Sequence, residues 1–250
     1  MITVEDLCKS YGETAVLRDV VLSLPCGGLT GIIGPNGAGK STLLSIIGRM
    51  MKADSGRVLL EGLDLARAPG AEVARRLAVL RQDNHLAARL TVRDLVAFGR
   101  YPHSRGRPTE ADATHTARAI AYLGLEPFAD RFLDELSGGQ RQRAFIAMVL
   151  CQDTDYILLD EPLNNLDIRH AVGIMTLIGK AARELGKTVV VVLHDINMAS
   201  ACCDRIVAMK DGRILRHGPP ETVMQAGFLQ EVYETPIEVH RLSGRLVAVY

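Results

Sequence analysis

The sequence predicts an α/β fold in which a parallel sheet with helices is interrupted by a mostly helical insert. An apolar run at 29–33 reads as a strand, and continuous apolar runs at Tyr156–Leu159 and 188–193 are typical of strands buried on both faces of a parallel sheet. A helical pattern over 168–185 separates the last two runs, which makes a βαβ unit. The chain has 250 residues, enough for one large domain or for a core with a sub-domain.

The first third of the chain alternates β-rich runs with turns and ends in a helical pattern. Strands are predicted at 2–7, 20–24 and 29–33, and the last of them stops at Gly34. From Lys40 to Met50 the apolar residues recur with helical spacing. A further strand, Leu77–Leu80, precedes the insert.

The insert and the carboxy-terminal part follow the same rules. Helices are predicted at 91–100, 110–123 (with Thr109 as N-cap) and 141–151, with an exposed Gly-, Pro- and Arg-rich loop at 99–108. Asp211-Gly212 joins strands 206–209 and 213–216 into a hairpin. The predicted division is a core of residues 1–83 and 152–218, a helical sub-domain of residues 84–151, and a mixed carboxy-terminal extension of residues 219–250.

Composition excludes several classes of protein. Lys plus Arg and Asp plus Glu each number 29, so the net charge is zero and a nucleic-acid partner is not expected. Five cysteines without a CxxC spacing argue against a disulfide framework or a zinc site. No apolar run reaches the ~18 residues of a membrane span, and the first residues do not resemble a secretory signal. Six histidines lack metal-ligand spacing and are predicted to be surface residues: His85, His103, His115, His170, His217 and His240.

A glycine-rich segment between a strand and a helix carries the strongest chemical signal. It matches the phosphate-loop pattern G-x-x-x-x-G-K-[ST] and consists of Gly34, Pro35, Asn36, Gly37, Ala38, Gly39, Lys40, Ser41 and Thr42. Glycines let backbone N–H groups approach phosphate oxygens, and the following helix directs its positive end at them. Lys40 adds a charge near the β and γ oxygens, and the Ser41 hydroxyl can ligate Mg²⁺.

Two acidic residues follow the strand Tyr156–Leu159 directly. Because open α/β sheets bind ligands at the carboxyl ends of their strands, Asp160 is placed to orient Mg²⁺. Glu161 is placed to polarise an attacking water as general base.

The segment 136–143 reads Leu-Ser-Gly-Gly-Gln-Arg-Gln-Arg. With the phosphate loop before it and Asp160-Glu161 after it, the chain resembles the ATP-binding cassette (ABC) ATPases over nearly its whole length. The resemblance implies a P-loop NTPase (RecA-like) core with a helical sub-domain, and hydrolysis of ATP with Mg²⁺.

The resemblance also implies roles for single residues. Tyr11 resembles the aromatic that stacks on adenine, and Gln82 the glutamine that links Mg²⁺ to the transport partner. His194 resembles the switch histidine near the γ-phosphate, and residues 164–167, ending in Asp167, resemble the loop that crosses to the partner subunit. Position 163 is Leu where many relatives carry Thr or Ser.

The segment 136–143, called the signature segment below, predicts a dimer. It precedes a helix and so forms a second anion-binding N-terminus, offered by Ser137, Gly138, Gly139 and Gln140. Since this segment lies in the helical insert, one chain is not expected to fold it onto its own phosphate loop. Two chains arranged head-to-tail can close each other's sites, so a homodimer or a heterodimer with a sibling is expected.

Among ABC ATPases, a separate single cassette without added modules suits an importer. Four segments resemble the sequences of the iron–siderophore, haem and cobalamin group, namely residues 75–83, 91–103, 194–199 and 235–239. Within that group, the loop Gly-Arg-Tyr-Pro-His-Ser-Arg-Gly looks most like that of the ferric siderophore importers. The expected partners are membrane permease subunits, docked at the cytoplasmic face around residues 83–106, and indirectly a substrate-binding protein. Haem, cobalamin or metal-ion import, and a soluble ATPase without a permease, are the alternatives.

Overall fold

The computed structural model describes residues 1–82, 88–164 and 166–250. The chain divides into two compact units, of which the first joins Met1–Ala68 to Ile178–Tyr250 and the second is Pro69–Leu177. The predicted division into core, insert and extension stays a prediction, and its first boundary falls at residues 83 and 84, outside the described residues. None of the helices in the described ranges has the length and apolar character needed to span a membrane.

Within residues 1–82, 88–164 and 166–250, the structure has twelve strands and ten α-helices. The strands are β1 Ile2–Tyr11, β2 Thr14–Leu24, β3 Gly28–Ile33, β4 Ser55–Leu60, β5 Leu63–Asp64, β6 Leu77–Leu80, β7 Tyr156–Leu159, β8 Thr188–Val192, β9 Arg205–Lys210, β10 Arg213–Gly218, β11 Glu238–Leu242 and β12 Arg245–Val249. The helices are α1 Lys40–Ile47, α2 Gly70–Arg76, α3 Val92–Phe98, α4 Tyr101–Ser104, α5 Glu110–Tyr122, α6 Gly138–Cys151, α7 Ile168–Glu184, α8 Ile196–Cys202, α9 Pro220–Val223 and α10 Ala226–Tyr233. α7 contains the boundary between the two units.

In the first unit, a buried sheet carries the phosphate loop. β3 pairs in parallel with both β8 and β9, and β10 continues the sheet by pairing antiparallel with β9. All five residues of β8 are buried, as a continuous apolar run in a covered parallel sheet requires. The strands predicted at 29–33 and 188–193 and the predicted hairpin at 206–216 are confirmed, with ends that differ by one or two residues.

A second sheet of the first unit is antiparallel, in the order β2-β1-β4-β5. β1 is longer than the predicted strand 2–7. An irregularity in its pairing with β2, between Val4 and Leu7, lets the strand continue past a break in the alternation of apolar and polar residues. Asp6, inside that irregularity, has a φ of 46°. β4 and β5 were not predicted, since the glycines at 56 and 62 interrupt the apolar pattern.

The second unit combines a strand pair with a helical cluster. β6 pairs in parallel with β7, in register from Leu77 with Tyr156 to Leu80 with Leu159. Helices α3, α5 and α6 pack on one another. Thr91 and Thr109 begin α3 and α5 with capping boxes, which confirms the predicted cap at Thr109.

The prediction of an exposed loop at 99–108 was partly wrong. α4 lies within it, and Arg100 is buried, with its Nε 2.9 Å from Oδ1 of Asp112 and its Nη1 2.9 Å from the Cys151 carbonyl oxygen. The backbone hydrogen bond from Thr109, followed by the hydrogen bonds from the Arg100 side chain and the Thr109 hydroxyl, lowers the pKa of Asp112 to about 2. A charged pair buried in this way is not visible in the local composition.

Candidate functional site

The phosphate loop lies between β3 and α1, and its shape requires glycine. A Cβ on Gly34 would lie 2.1 Å from the Met209 carbonyl oxygen, and one on Gly39 would lie 2.8 Å from the Val16 carbonyl oxygen. Gly34, Gly37 and Gly39 have φ values of 147°, 81° and 95°, which side chains disfavour. The loop therefore folds against the backbone of its own unit in a path that only these residues permit.

The first residue of α1 closes the loop. Lys40 is 5% exposed, and its ammonium donates to the carbonyl oxygens of Gly34 and Pro35 at 2.8 and 2.9 Å. Gly39 is the N-cap of α1 and has no side chain to occupy the first amides of the helix. Ser41 and Thr42 stand on the first turn. The arrangement is an amide-rich concavity beside a fixed positive charge, suited to phosphate.

Tyr11 lies at the end of β1, in the same unit as the phosphate loop. Its side chain is exposed, and the hydroxyl donates to Sδ of Met51 at 3.0 Å. The predicted stacking on adenine stays a prediction.

His194 is exposed and lies directly after β8, between a strand and a helix that are each held in place. Leu193 donates its N–H to the Ile32 carbonyl oxygen at 3.0 Å. The Asp195 carboxylate caps α8 by accepting from the N–H groups of Asn197 and Met198 at 2.7 and 3.0 Å.

The carboxy-terminal hairpin also holds α8. The Asn197 side chain exchanges two hydrogen bonds with the backbone of Ala248, at 2.7 and 3.0 Å. Ser200 adds a bond to the Leu246 carbonyl oxygen at 2.8 Å. Sequence reasoning missed this support for the His194 segment, since only the fold brings together residues that are 46 and 51 positions apart.

In the second unit, the two acidic residues after β7 have different surroundings. Asp160 is buried, and its N–H donates to the Leu80 carbonyl oxygen at 2.9 Å, so it continues the β6–β7 pairing. Glu161 has a φ of 48°, an unusual conformation for a residue other than glycine. Its Oε2 accepts from Nε2 of Gln82 at 2.7 Å and from Nδ2 of Asn164 at 2.6 Å.

The structure thus brings together Gln82 and Glu161, two residues singled out by separate motifs. It adds Asn164, which sequence reasoning assigned only to the loop that ends at Asp167. Two amide donors on one carboxylate oxygen orient the carboxylate without adding a charge beside it. Asn165, the other asparagine of this loop, lies outside the described residues.

The signature segment begins α6 with a capping box. Ser137 Oγ accepts from the Gln140 N–H at 3.3 Å, and Gln140 Oε1 accepts from the Ser137 N–H at 2.9 Å. Because the Ser137 hydroxyl accepts in this pair, its proton stays available to donate outward. Gln140 is placed as a capping residue of α6, and Gly138 and Gly139 form the first turn.

Asp167 lies at the start of α7, and its carboxylate faces His170. Oδ1 accepts from the His170 N–H at 2.8 Å, and Nδ1 of the His170 ring lies 2.9 Å from both carboxylate oxygens. These bonds lower the pKa of Asp167, the backbone bond most strongly, so this side chain is ionised at neutral pH. His170 was predicted only as a surface residue. Its spacing of three from Asp167 was the available signal.

Comparisons with known proteins identify the family. The ABC transporter family matches residues 17–164. The chain is 49% identical to the petrobactin import ATP-binding protein YclP of Bacillus subtilis, over 100% of this chain and 99% of the relative. It is 40% identical to the ferric enterobactin transport ATP-binding protein FepC of Escherichia coli, over 92% of this chain and 85% of the relative.

Solved structures show the same fold. A metal-chelate type ABC transporter in an inward-facing conformation matches with a TM-score of 0.86 at 24% identity, over 99% of this chain and 96% of that one. The dimeric ATP-binding cassette MJ0796, bound to ADP and Pi, matches with a TM-score of 0.78 at 32% identity, over 88% of this chain and 99% of that one. The chain belongs to the ABC transporter family and is one of its ATPase cassettes.

Proposed function

We propose that this chain is the ATP-hydrolysing subunit of an importer of ferric siderophores. Support comes from two independent directions. The phosphate loop with its buried Lys40 and the oriented Glu161 supply phosphate binding and a general base. The full-length relatives named for petrobactin import, and the relative named for ferric enterobactin transport, give the solute class.

The residues of the first unit bind and position the triphosphate. The amides of the phosphate loop and of the first turn of α1 donate to phosphate oxygens. Lys40 exchanges its bonds to the loop carbonyls for bonds to the β and γ oxygens. Tyr11 supports the adenine ring through its exposed face, and His194 senses the γ-phosphate from the end of β8.

The donor set for Mg²⁺ fits the metal. Ser41, Asp160 and Gln82 carry a hydroxyl, a carboxylate and an amide oxygen, and Mg²⁺ takes oxygen ligands. We propose that these residues hold it. When bound, the metal neutralises charge that develops on the phosphate oxygens.

The second unit supplies the base and the surface for a second chain. Glu161 accepts a proton from the attacking water, while Gln82 and Asn164 keep its carboxylate in one orientation. Ser137 and the first turn of α6 close the nucleotide site of the partner in a head-to-tail homodimer, and Asp167 lies on the loop that crosses to it. Binding then drives closure and hydrolysis permits opening.

The working complex places two copies at the cytoplasmic face of the membrane, beneath two permease subunits. The docking surface is expected around residues 83–106, of which 83–87 lie outside the described residues. A substrate-binding protein delivers the iron chelate on the other side.

Affinity capture tests the transport function. Tagged Glu161→Gln is isolated from detergent-solubilised membranes of its native host, with Lys40→Ala as the matched control, and the co-purifying proteins are identified by mass spectrometry. We expect to recover a polytopic permease, and the identity of that permease would narrow the solute to a class of chelates. Recovery of ribosomes, nucleic acid or soluble partners alone would contradict the importer function while leaving the ATPase standing.

A further inference from the structure

His170 links two segments of the second unit that carry separate motifs. On one side is the loop that ends at Asp167, whose carboxylate is 2.9 Å from Nδ1 of the ring. The His170 N–H also donates to this carboxylate at 2.8 Å. The contacts of Nδ1 with both carboxylate oxygens fix the orientation of the imidazole ring relative to α7.

On the other side of the ring is the signature helix. A Cβ built on Gly139 would lie 2.5 Å from Cδ2 of His170 and 2.9 Å from its Cγ. Such distances are too short for non-bonded carbon atoms, so the ring occupies the space that a side chain at position 139 would need. Gly139 is in the first turn of α6, the turn that presents the signature amides.

We propose that His170 is a positioning residue of the ATPase reaction. Its ring fixes the first turn of α6 to the Asp167 loop, so that both segments meet the partner subunit as one surface. This inference rests on the proposed head-to-tail dimer, in which these two segments face the partner's nucleotide.

The geometry determines which kinetic step depends on His170. The phosphate loop, which we propose binds a chain's own ATP, belongs to the other unit, so we expect its affinity for ATP to depend little on this ring. Closure of the dimer requires the signature turn and the Asp167 loop to arrive together. Loss of the ring should therefore lower kcat and weaken the closed dimer, while the KM for ATP stays nearly unchanged.

The test uses the full chain and two readouts. In the active chain, kcat and KM for ATP are measured for His170→Ala and His170→Asn. In the Glu161→Gln background, ATP-dependent dimer formation is followed by light scattering. His240→Ala is the matched control, because His240 is exposed and, like His170, contacts a nearby carboxylate, that of Glu238 at 2.9 Å, away from the motifs.

We expect His170→Ala to lower kcat about tenfold and to weaken the dimer by a similar factor, with KM and the melting temperature unchanged. His170→Asn should recover part of this loss, since its amide can replace Nδ1 as donor to Asp167. A second variant, Gly139→Ala, should cost less in the His170→Ala background than in the wild-type chain, because the clash with the ring is gone.

The outcomes separate the two levels of the proposal. If Glu161→Gln alone does not dimerise with ATP, the head-to-tail mechanism is wrong. If it dimerises and His170→Ala dimerises equally well, the positioning role is wrong. A fall in melting temperature together with loss of ATP binding would also overturn it, since that pattern indicates a merely structural side chain. Equal losses in the Asn and Ala variants would contradict the role of the bond to Asp167.

Discussion

The phosphate loop of the first unit and the Glu161 cluster of the second, which consists of Gln82, Glu161 and Asn164, are built in different ways. The loop is a backbone structure, in which close approach of Gly34 to the Met209 carbonyl fixes the path of the chain. The cluster consists of side chains, with Gln82 and Asn164 donating to one carboxylate oxygen. A substitution in the loop should therefore reduce its function by steric clash, and a substitution in the cluster should do so by removing a single hydrogen bond.

Replacing Glu161, the proposed general base of the cluster, gives the largest expected effect. Glu161→Gln keeps an oxygen that can accept from both amides but cannot take a proton, so kcat should fall by about 10²–10⁴. ATP affinity should stay close to that of the wild-type chain, because the phosphate loop is untouched. Single-turnover hydrolysis and nucleotide titration measure the two quantities. Turnover at the wild-type rate would place the base elsewhere.

The steric constraint on the phosphate loop is tested by adding one methyl group at Gly34. Gly34→Ala places a Cβ 2.1 Å from the Met209 carbonyl oxygen, and we expect ATP affinity to fall at least tenfold and the free energy of unfolding by about 1–3 kcal/mol. Gly70→Ala is the control, because the space around Gly70 is open and its φ is ordinary. Nucleotide binding and denaturant unfolding are the measurements. Equal behaviour of the two variants would show that the loop path is not sterically fixed.

A single donor of the cluster should have a smaller effect. Asn164→Ala removes one of the two amide bonds to Glu161, and we expect kcat to fall about tenfold, equivalent to ~1.4 kcal/mol, with KM unchanged. Asn164→Asp should be worse, since it replaces the donor by a like charge. Steady-state ATPase assays compare them. An alanine variant as active as the wild-type chain would assign the orientation of Glu161 to Gln82 alone.

These two regions also show what the sequence could predict. The phosphate loop, Asp160 and Glu161 could be singled out from the sequence because each is local and its residue types suit the proposed chemistry, and the signature segment could be singled out by its resemblance to ABC ATPases. The bond from Asn164 to Glu161 and the packing of His170 on Gly139 were missed, because they depend on how loops fold onto helices.

The fold shows the same limit. Apolar runs predicted the buried strands of the parallel sheet, since burial on both faces leaves a simple pattern. The composition of residues 99–108 predicted a loop because Gly, Pro and Arg are common in exposed loops. The partners of Arg100 lie 12 and 51 positions away, at Asp112 and Cys151, and only the folded helices bring them together.

The smallest expected effect concerns acid stability. The pKa of Asp112 is about 2 in the folded chain and near 4 in an unfolded one, so its contribution to stability is fully present above pH ~4 and is lost as the pH falls toward 2. Asp112→Asn should be less stable than the wild-type chain at pH 7, and the difference should shrink between pH 4 and pH 2. Denaturant unfolding across this range measures it. A difference independent of pH would contradict the lowered pKa of Asp112.

The most direct test of the shared-site mechanism is the mass of Glu161→Gln with and without ATP, measured by light scattering beside the same chain carrying Ser137→Arg. The head-to-tail site predicts that ATP raises the mass of Glu161→Gln from 27.2 kDa to twice that value. Adding Ser137→Arg should leave ATP binding intact and hold the chain at the monomer mass, since the arginine side chain blocks the signature turn. A double variant that dimerises with ATP as readily as Glu161→Gln would contradict a nucleotide site shared between two chains.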